Sequence, residues 1–206
     1  HKSTKEAKDN GEIGNLEKII ITSRDPAPPG INYLKDAGGM YRDMTIHDFD
    51  LIHYILEDDP IEKVFATGSI LFDENVKEIN DMDTAMIVMQ SKSGVLCHIN
   101  NSRRAVYGYD QRIEIFGSKG MIISDNQTPT SIKKFNKDMT KAENPIYYFF
   151  HERYDQAYKH QLNIFIDCII NKKPTHVNFE DGRIALIIAN AAYESFQSGK
   201  FIKINY

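Results

Sequence analysis

Asp43 and His47 stand four residues apart in the stretch Gly38-Gly39-Met40-Tyr41-Arg42-Asp43-Met44-Thr45-Ile46-His47-Asp48-Phe49-Asp50. On a helix, positions i and i+4 share a face about one turn apart. The carboxylate and the imidazole are therefore expected to point at one small volume. A carboxylate beside a histidine is a common arrangement for moving a proton near neutral pH. The spacing has a plainer reading too: an acid at a helix N-terminus and an unrelated surface or core histidine. Context favours the pair. It follows two glycines and a proline-rich loop carrying Arg24 and Asp25, and loops that converge on a helix start commonly hold binding groups.

A second stretch rich in hydrogen-bonding groups is Asn101-Ser102-Arg103-Arg104-Ala105-Val106-Tyr107-Gly108-Tyr109-Asp110-Gln111-Arg112. Tyr107 and Tyr109 offer apolar faces and hydroxyls, both suited to a polyol. The same composition fits the rim of a hairpin whose tyrosines pack on a sheet. His47 and His53 are six residues apart and face different sides of a helix, and no Cys/His spacing suggests zinc, so no metal is expected. The twelve glycines never take the Gly-x-Gly-x-x-Gly spacing, and neither a nucleophile elbow nor a phosphate loop occurs. A complete NAD enzyme or kinase is thus not encoded in these residues.

Composition narrows the class. The chain has 206 residues, 41% apolar and 26% charged, with a net charge of −4. Acids and bases are interspersed, which gives no footprint for nucleic acid or an anionic membrane. No apolar run is long enough for a membrane span. Cys97 and Cys168 sit in apolar segments and read as reduced core thiols of a cytoplasmic protein. Lys2 to Asn10 reads as the polar end of a helix with nothing to pack on, so the natural protein is expected to continue N-terminally.

Leu16–Ser23 is rich in β-branched residues and reads as a strand, and the prolines of 24–30 demand a loop. Residues 43–57 show a helical period through Ile46, Phe49, Ile52, His53 and Leu56, with Asp43, His47 and Asp50 on a second face. From 61 to about 150 the pattern turns to strands: 61–72, 84–90, 95–101, 111–116, 121–124 and 131–135, with a hairpin turn at Ser91–Gly94. Tyr147-Tyr148-Phe149-Phe150 reads as a core strand or an oligomer contact. Helices follow at 154–170 and 179–198, the second capped by Asn178 and stopped by Gly199, and 201–204 reads as a closing strand. Strand after strand without helices between them implies antiparallel pairing. The predicted class is α+β: one mainly antiparallel, open-faced sheet with helices packed on one face, in a single domain.

Several stretches carry a resemblance. Gly39 to Asp50, Ile21-Thr22-Ser23-Arg24-Asp25-Pro26-Ala27-Pro28-Pro29, Asn101 to Arg112, Phe116-Gly117-Ser118-Lys119-Gly120 and Ile188 to Ser195 together resemble the oxidoreductases related to glucose-fructose oxidoreductase and inositol 2-dehydrogenase (Gfo/Idh/MocA type), the inositol 2-dehydrogenase branch most of all. The likeness covers the C-terminal half of such an enzyme. It implies a substrate-binding and oligomerisation domain spanning 1–206, with 1–14 the remnant of a linker helix from an absent N-terminal Rossmann domain. It implies NAD or NADP as cofactor, bound mainly by that absent domain, with no cofactor ligand assigned in this chain. The substrate would be a polyol such as myo-inositol, and the sheet face would build a homodimer or homotetramer. His47 would take the hydroxyl proton, with Asp43 holding the imidazole and a substrate hydroxyl. Asp25 and one of Tyr107 or Tyr109 would bind other hydroxyls. The family's Glu-Lys-Pro tripeptide, whose lysine also touches the reacting hydroxyl, is absent here, so the chain alone is expected to be inactive. The alternatives are a non-catalytic sugar-binding or oligomerisation module and a related sugar or diol oxidoreductase.

Overall fold

The computed structural model describes residues 1–206. Seven strands form one sheet in the order β6-β5-β1-β4-β3-β2-β9: β1 Leu16–Arg24, β2 Ile61–Ser69, β3 Thr84–Ser91, β4 Leu96–Ser102, β5 Asp110–Gly117, β6 Gly120–Ser124 and β9 Ile202–Lys203. Every pairing is antiparallel except that of β1 with β4. The parallel pair arises because the chain leaves β1, passes through helices and the β2–β3 hairpin, and re-enters beside β1. Consecutive strands in the sequence give no hint of this. Two residue pairs, β7 Lys133–Lys134 and β8 Ala142–Glu143, make a separate ribbon where one strand, 131–135, is expected.

Alternation in the strands sets the two faces. Ile19, Ile21, Ile87, Met89, Cys97, Ile99, Ile113 and Ile115 point to one side and are buried. Met86, Val88, Leu96, Phe116, Met121 and Ile123 point to the other and are exposed. The buried face is covered by α4 Thr45–Leu56 and α6 Phe179–Ser198. Asn178 caps α6 with a reciprocal bond between its backbone and Asp181, and Gly199 ends it in a left-handed turn. Cys97 and Cys168 are buried and free.

The first helix, α1 Lys2–Asp9, does have something to pack on: Thr4 is buried, and Lys5 and Lys8 reach Glu57 at the end of α4. Three later helices differ from the pattern in the sequence. The loop after β1 contains a seven-residue helix, α2 Ile31–Ala37. The helix expected over 43–57 is broken at Met44 into α3 Met40–Asp43 and α4, so Asp43 and His47 lie on different segments. The break follows a tight reversal: Gly38 and Gly39 have φ of 89° and 87°, and a Cβ on Gly39 would press on Asp81 Oδ1. That oxygen instead accepts the Met40 N–H at 2.8 Å. The third, α5 Phe150–Ile170, begins four residues early and absorbs Phe150. Residues 147–149 are irregular, so the aromatic run is not a core strand. Of the 21 residues of α5 only Cys168 is buried. The apolar stripe of this helix finds no partner on the sheet.

Asp83 ties the far end of the sheet together. It is fully buried at the start of β3, and its carboxylate accepts the backbone N–H groups of Leu71, Phe72 and Asp73 at 2.9–3.0 Å and the Thr84 hydroxyl at 2.8 Å. Burial alone would raise its pKa. The N–H donors of Phe72, Asp73 and Leu71 outweigh burial and hold it below the usual carboxylate range. The Asp83 carbonyl in turn accepts the Arg103 N–H at 2.9 Å, which fixes the backbone where β4 ends. Asp83→Asn is expected to lower the free energy of unfolding by about 2–4 kcal/mol, because buried N–H donors lose a charged acceptor. Urea denaturation would measure the loss.

Candidate active site

An open cleft of about 1380 Å³ runs between the proline loop 25–29, α3 and α4, the 103–111 connection, and residues 148–161 at the start of α5. Asp25, Asp43, His47 and Tyr109 all line it. Tyr107 does not. Its hydroxyl donates to Asp110 at 2.6 Å and accepts from Arg24 at 3.0 Å, on the opposite side of the connection. The two tyrosines diverge at Gly108, whose φ of 129° and contact with Ile146 exclude a side chain.

The structure shows no direct bond between Asp43 and His47. Asp43 spends both oxygens elsewhere: Oδ1 accepts the Tyr33 hydroxyl at 2.6 Å and Oδ2 accepts Arg103 Nη2 at 2.9 Å. The break at Met44 turns the carboxylate toward β4, whereas an unbroken helix would have stacked it under the imidazole. His47 is exposed and faces the same cleft. Of the acids nearby, Asp50, one turn on along α4, lies within electrostatic reach of both His47 and His53.

Arg103 is 1% exposed, and its side chain reaches Asp43 across the bottom of the cleft. Asp43 is in contact with it, Asp25 lies within its electrostatic reach, and Asp48 lies within that of Asp25. Asp25 is pinned by its backbone: its N–H donates to Ser102 O at 2.9 Å and its carbonyl accepts from Ala105 N at 2.6 Å. Burial pushes its pKa up to about 6, against the pull of Arg103 and with help from the charge of Asp43. Asp48 lies beneath His47 on the buried side of α4, where its Oδ2 accepts Asn101 Nδ2 at 2.9 Å. Burial pushes it up to about 7, opposed by the Asn101 and Ser23 hydrogen bonds. Neither Asp25 nor Asp48 has a cation in contact, so burial leaves both above the usual carboxylate range. Tyr109 is raised by burial first and then by Tyr154 and Asp25. Tyr154 enters from α5 and meets the Tyr109 ring edge-on at 5.8 Å.

Sequence reasoning missed Tyr33, Arg103, Asp48 and Tyr154 as site residues. Asp48 had a readable signal, because it shares a helical face with Ile52 and Ile55 and so puts an acid in an apolar stripe. Tyr33 lay in an expected loop. Arg103 was one hydrogen-bonder among many. Tyr154 is brought in only by the path of the chain. No group of three or more His, Cys, Asp or Glu side chains is placed to hold a metal ion.

Residues 1–123 match the profile of the GFO/IDH/MocA C-terminal domain. The chain belongs to the GFO/IDH/MocA family. It is 45% identical over 203 residues to the myo-inositol 2-dehydrogenase of Thermotoga maritima, covering 98% of this chain and 60% of that protein. The structure superposes on a myo-inositol dehydrogenase from Corynebacterium glutamicum with a TM-score of 0.95 at 44% identity, covering 100% of this chain and 61% of that one. It also superposes on scyllo-inositol dehydrogenase from Lactobacillus casei with bound NAD(H) and scyllo-inositol, with a TM-score of 0.87 at 28% identity over 98% of this chain and 60% of that one. The chain thus spans about three-fifths of the length of these GFO/IDH/MocA relatives, all of them oxidoreductases by name.

The raised carboxyls make stability depend on pH in a defined direction. A folded-state pKa above the unfolded value of about 3.9 means that the folded protein holds the proton more tightly. The contribution is complete below about pH 4 and is lost as pH rises through about 6 for Asp25 and about 7 for Asp48. The thermal midpoint is therefore expected to fall between pH 4.5 and pH 8. Asp48→Asn, which cannot ionise, is expected to flatten the upper part of that profile, as followed by circular dichroism melts.

Proposed function

We propose that this chain is the C-terminal substrate-binding domain of a nicotinamide-dependent inositol dehydrogenase, oxidising one ring hydroxyl of a polyol such as myo-inositol to a ketone. The observation that carries the reading is the exposed imidazole of His47 at a cleft walled by Asp25, Asp43, Arg103 and Tyr109, in a chain whose relatives are named inositol dehydrogenases. Oxidising an alcohol requires loss of a hydroxyl proton with a very high intrinsic pKa. His47 is the side chain that takes it, because its exposed imidazole faces the cleft and imidazole is a side chain that both accepts and returns a proton. Asp25, half-protonated near pH 6, both donates to and accepts from neighbouring hydroxyls. Tyr109 offers a hydroxyl and an apolar face to the ring. Many hydrogen bonds are needed to aim one carbon of a nearly symmetrical polyol.

NAD or NADP, when bound, supplies the hydride acceptor. The cleft fits such an arrangement: it is far larger than a six-carbon polyol needs, and apolar groups of Pro26, Ala27, Pro28, Tyr148 and Phe149 line it beside the carboxyls. No dinucleotide fingerprint lies in these residues, so the main cofactor contacts belong to a further domain of the whole protein, and the isolated chain turns over nothing. Two buried free cysteines suit a reducing, cytoplasmic setting.

Self-association through the open sheet face belongs to the same proposal. Met86, Val88, Leu96, Phe116, Met121 and Ile123 form an apolar surface on it, of the kind that marks an interface. Sedimentation at micromolar concentration is expected to give a dimer or tetramer, and Val88→Glu in the centre of that face is expected to shift it to monomer.

In the full-length protein, His47→Ala is expected to lower kcat for inositol oxidation by about a hundredfold or more, the range of general-base catalysis, with cofactor affinity unchanged by fluorescence titration. Near wild-type turnover in that variant would remove His47 from its assigned role. Turnover of no polyol by the wild-type protein would favour a binding or assembly module.

A further inference from the structure

Asp43 has two partners of opposite character. Arg103 approaches Oδ2 from the protein interior, 1% exposed and anchored through its backbone to Asp83. Tyr33 approaches Oδ1 from the cleft side, 57% exposed, its hydroxyl donating at 2.6 Å. Tyr33 rides on α2, where Leu34 is the one buried side chain. The chain enters α2 through the proline loop and leaves through Gly38 and Gly39, both in the left-handed half of backbone space. Arg103 cannot leave without opening the core. Tyr33 can leave by rotating its side chain into solvent.

A phenol hydroxyl and an alcohol hydroxyl make the same kind of hydrogen bond to a carboxylate. We infer that Tyr33 is a placeholder on Asp43: its hydroxyl occupies the bonding position that a polyol hydroxyl takes on binding, and the incoming hydroxyl displaces it. This deepens the inositol dehydrogenase reading and rests on it. Three consequences follow from the geometry. The carboxylate keeps a donor on each oxygen in both states, so binding never leaves it bare beside the other acids. The site distinguishes a hydroxyl from a carbonyl or a deoxy carbon at this position, because only a hydroxyl can offer the proton that Tyr33 withdraws. Tyr33 also competes with substrate, which sets affinity lower than the contacts alone would give. The Tyr33 hydroxyl is itself held protonated above its ordinary pKa, chiefly by its bond to Asp43, and that gives a signal to follow.

The test uses the full-length protein. Tyr33→Phe removes the competing hydroxyl and leaves the ring. KM for myo-inositol is expected to fall about threefold to tenfold, the span of one exposed hydrogen bond to a carboxylate, with kcat changing less than KM. In parallel, the Tyr33 13Cζ resonance, assigned by its loss in the variant, is expected to move when myo-inositol is added with NADH present, a pairing that binds without turnover. A KM that is unchanged or raised in Tyr33→Phe, or a Tyr33 resonance that stays put while inositol saturates the protein, overturns the exchange and leaves the dehydrogenase reading intact. A wild-type protein that neither binds nor oxidises any inositol overturns both.

Discussion

The site depends on one buried guanidinium. Arg103 lies almost wholly out of solvent with its Nη2 at 2.9 Å from Asp43, whose own side chain is 11% exposed. Removing one partner of such a pair leaves the other charge uncompensated and costs about 3–5 kcal/mol. The pair thus fixes where Asp43 points. Of Asp25, Asp43 and Asp48, Arg103 is in contact with Asp43 alone. Asp25 and Asp48, lacking a cation in contact, are driven by burial toward their neutral forms. One cation in contact with a single carboxyl thus sets Asp43 apart from Asp25 and Asp48.

That cation is held in turn by the sheet. Its backbone follows β4 directly and bonds to Asp83, which itself gathers three N–H groups at the β2–β3 crossover. Asn101 at the end of β4 bonds Asp48 on α4 and also accepts the Thr45 hydroxyl at 2.7 Å. The end of one central strand thus sets the positions of the acid on α3 and the histidine-bearing start of α4. Strand ends carry the polar groups on one side of the cleft, with the more exposed α2 in front.

The two faces of the sheet explain the rest of the architecture. One is sealed by α4 and α6. The other stays open and apolar, and α5 adds a second exposed apolar stripe through Leu162, Phe165, Ile166, Ile169 and Ile170. Exposed apolar surface of this extent is of the kind that marks an interaction site.

The sequence by itself determined most of the elements and the ingredients of the site. Alternation in β5 and short apolar, β-branched runs in β1, β3 and β4 mark strands, and the 3.6-residue period of α4 and α6 marks helices because one face must be dry. The Asn178 cap, the Gly199 stop and the turn at Ser91–Gly94 are local chemistry and were legible as such. Asp25, Asp43, His47 and, without distinction between them, Tyr107 and Tyr109 stood out by residue type, context or resemblance. Only the tertiary structure decided how these groups relate. It broke the helix at Met44, gave both Asp43 oxygens to Tyr33 and Arg103 in place of His47, set Tyr107 facing away, and paired β1 with β4 in parallel. Each of these depends on contacts between residues far apart in the chain. Arg103 lies 60 positions from Asp43 and Tyr154 enters from α5. Local patterns report which face of a segment is buried, whereas the partner of a charge is set by what the fold brings against it.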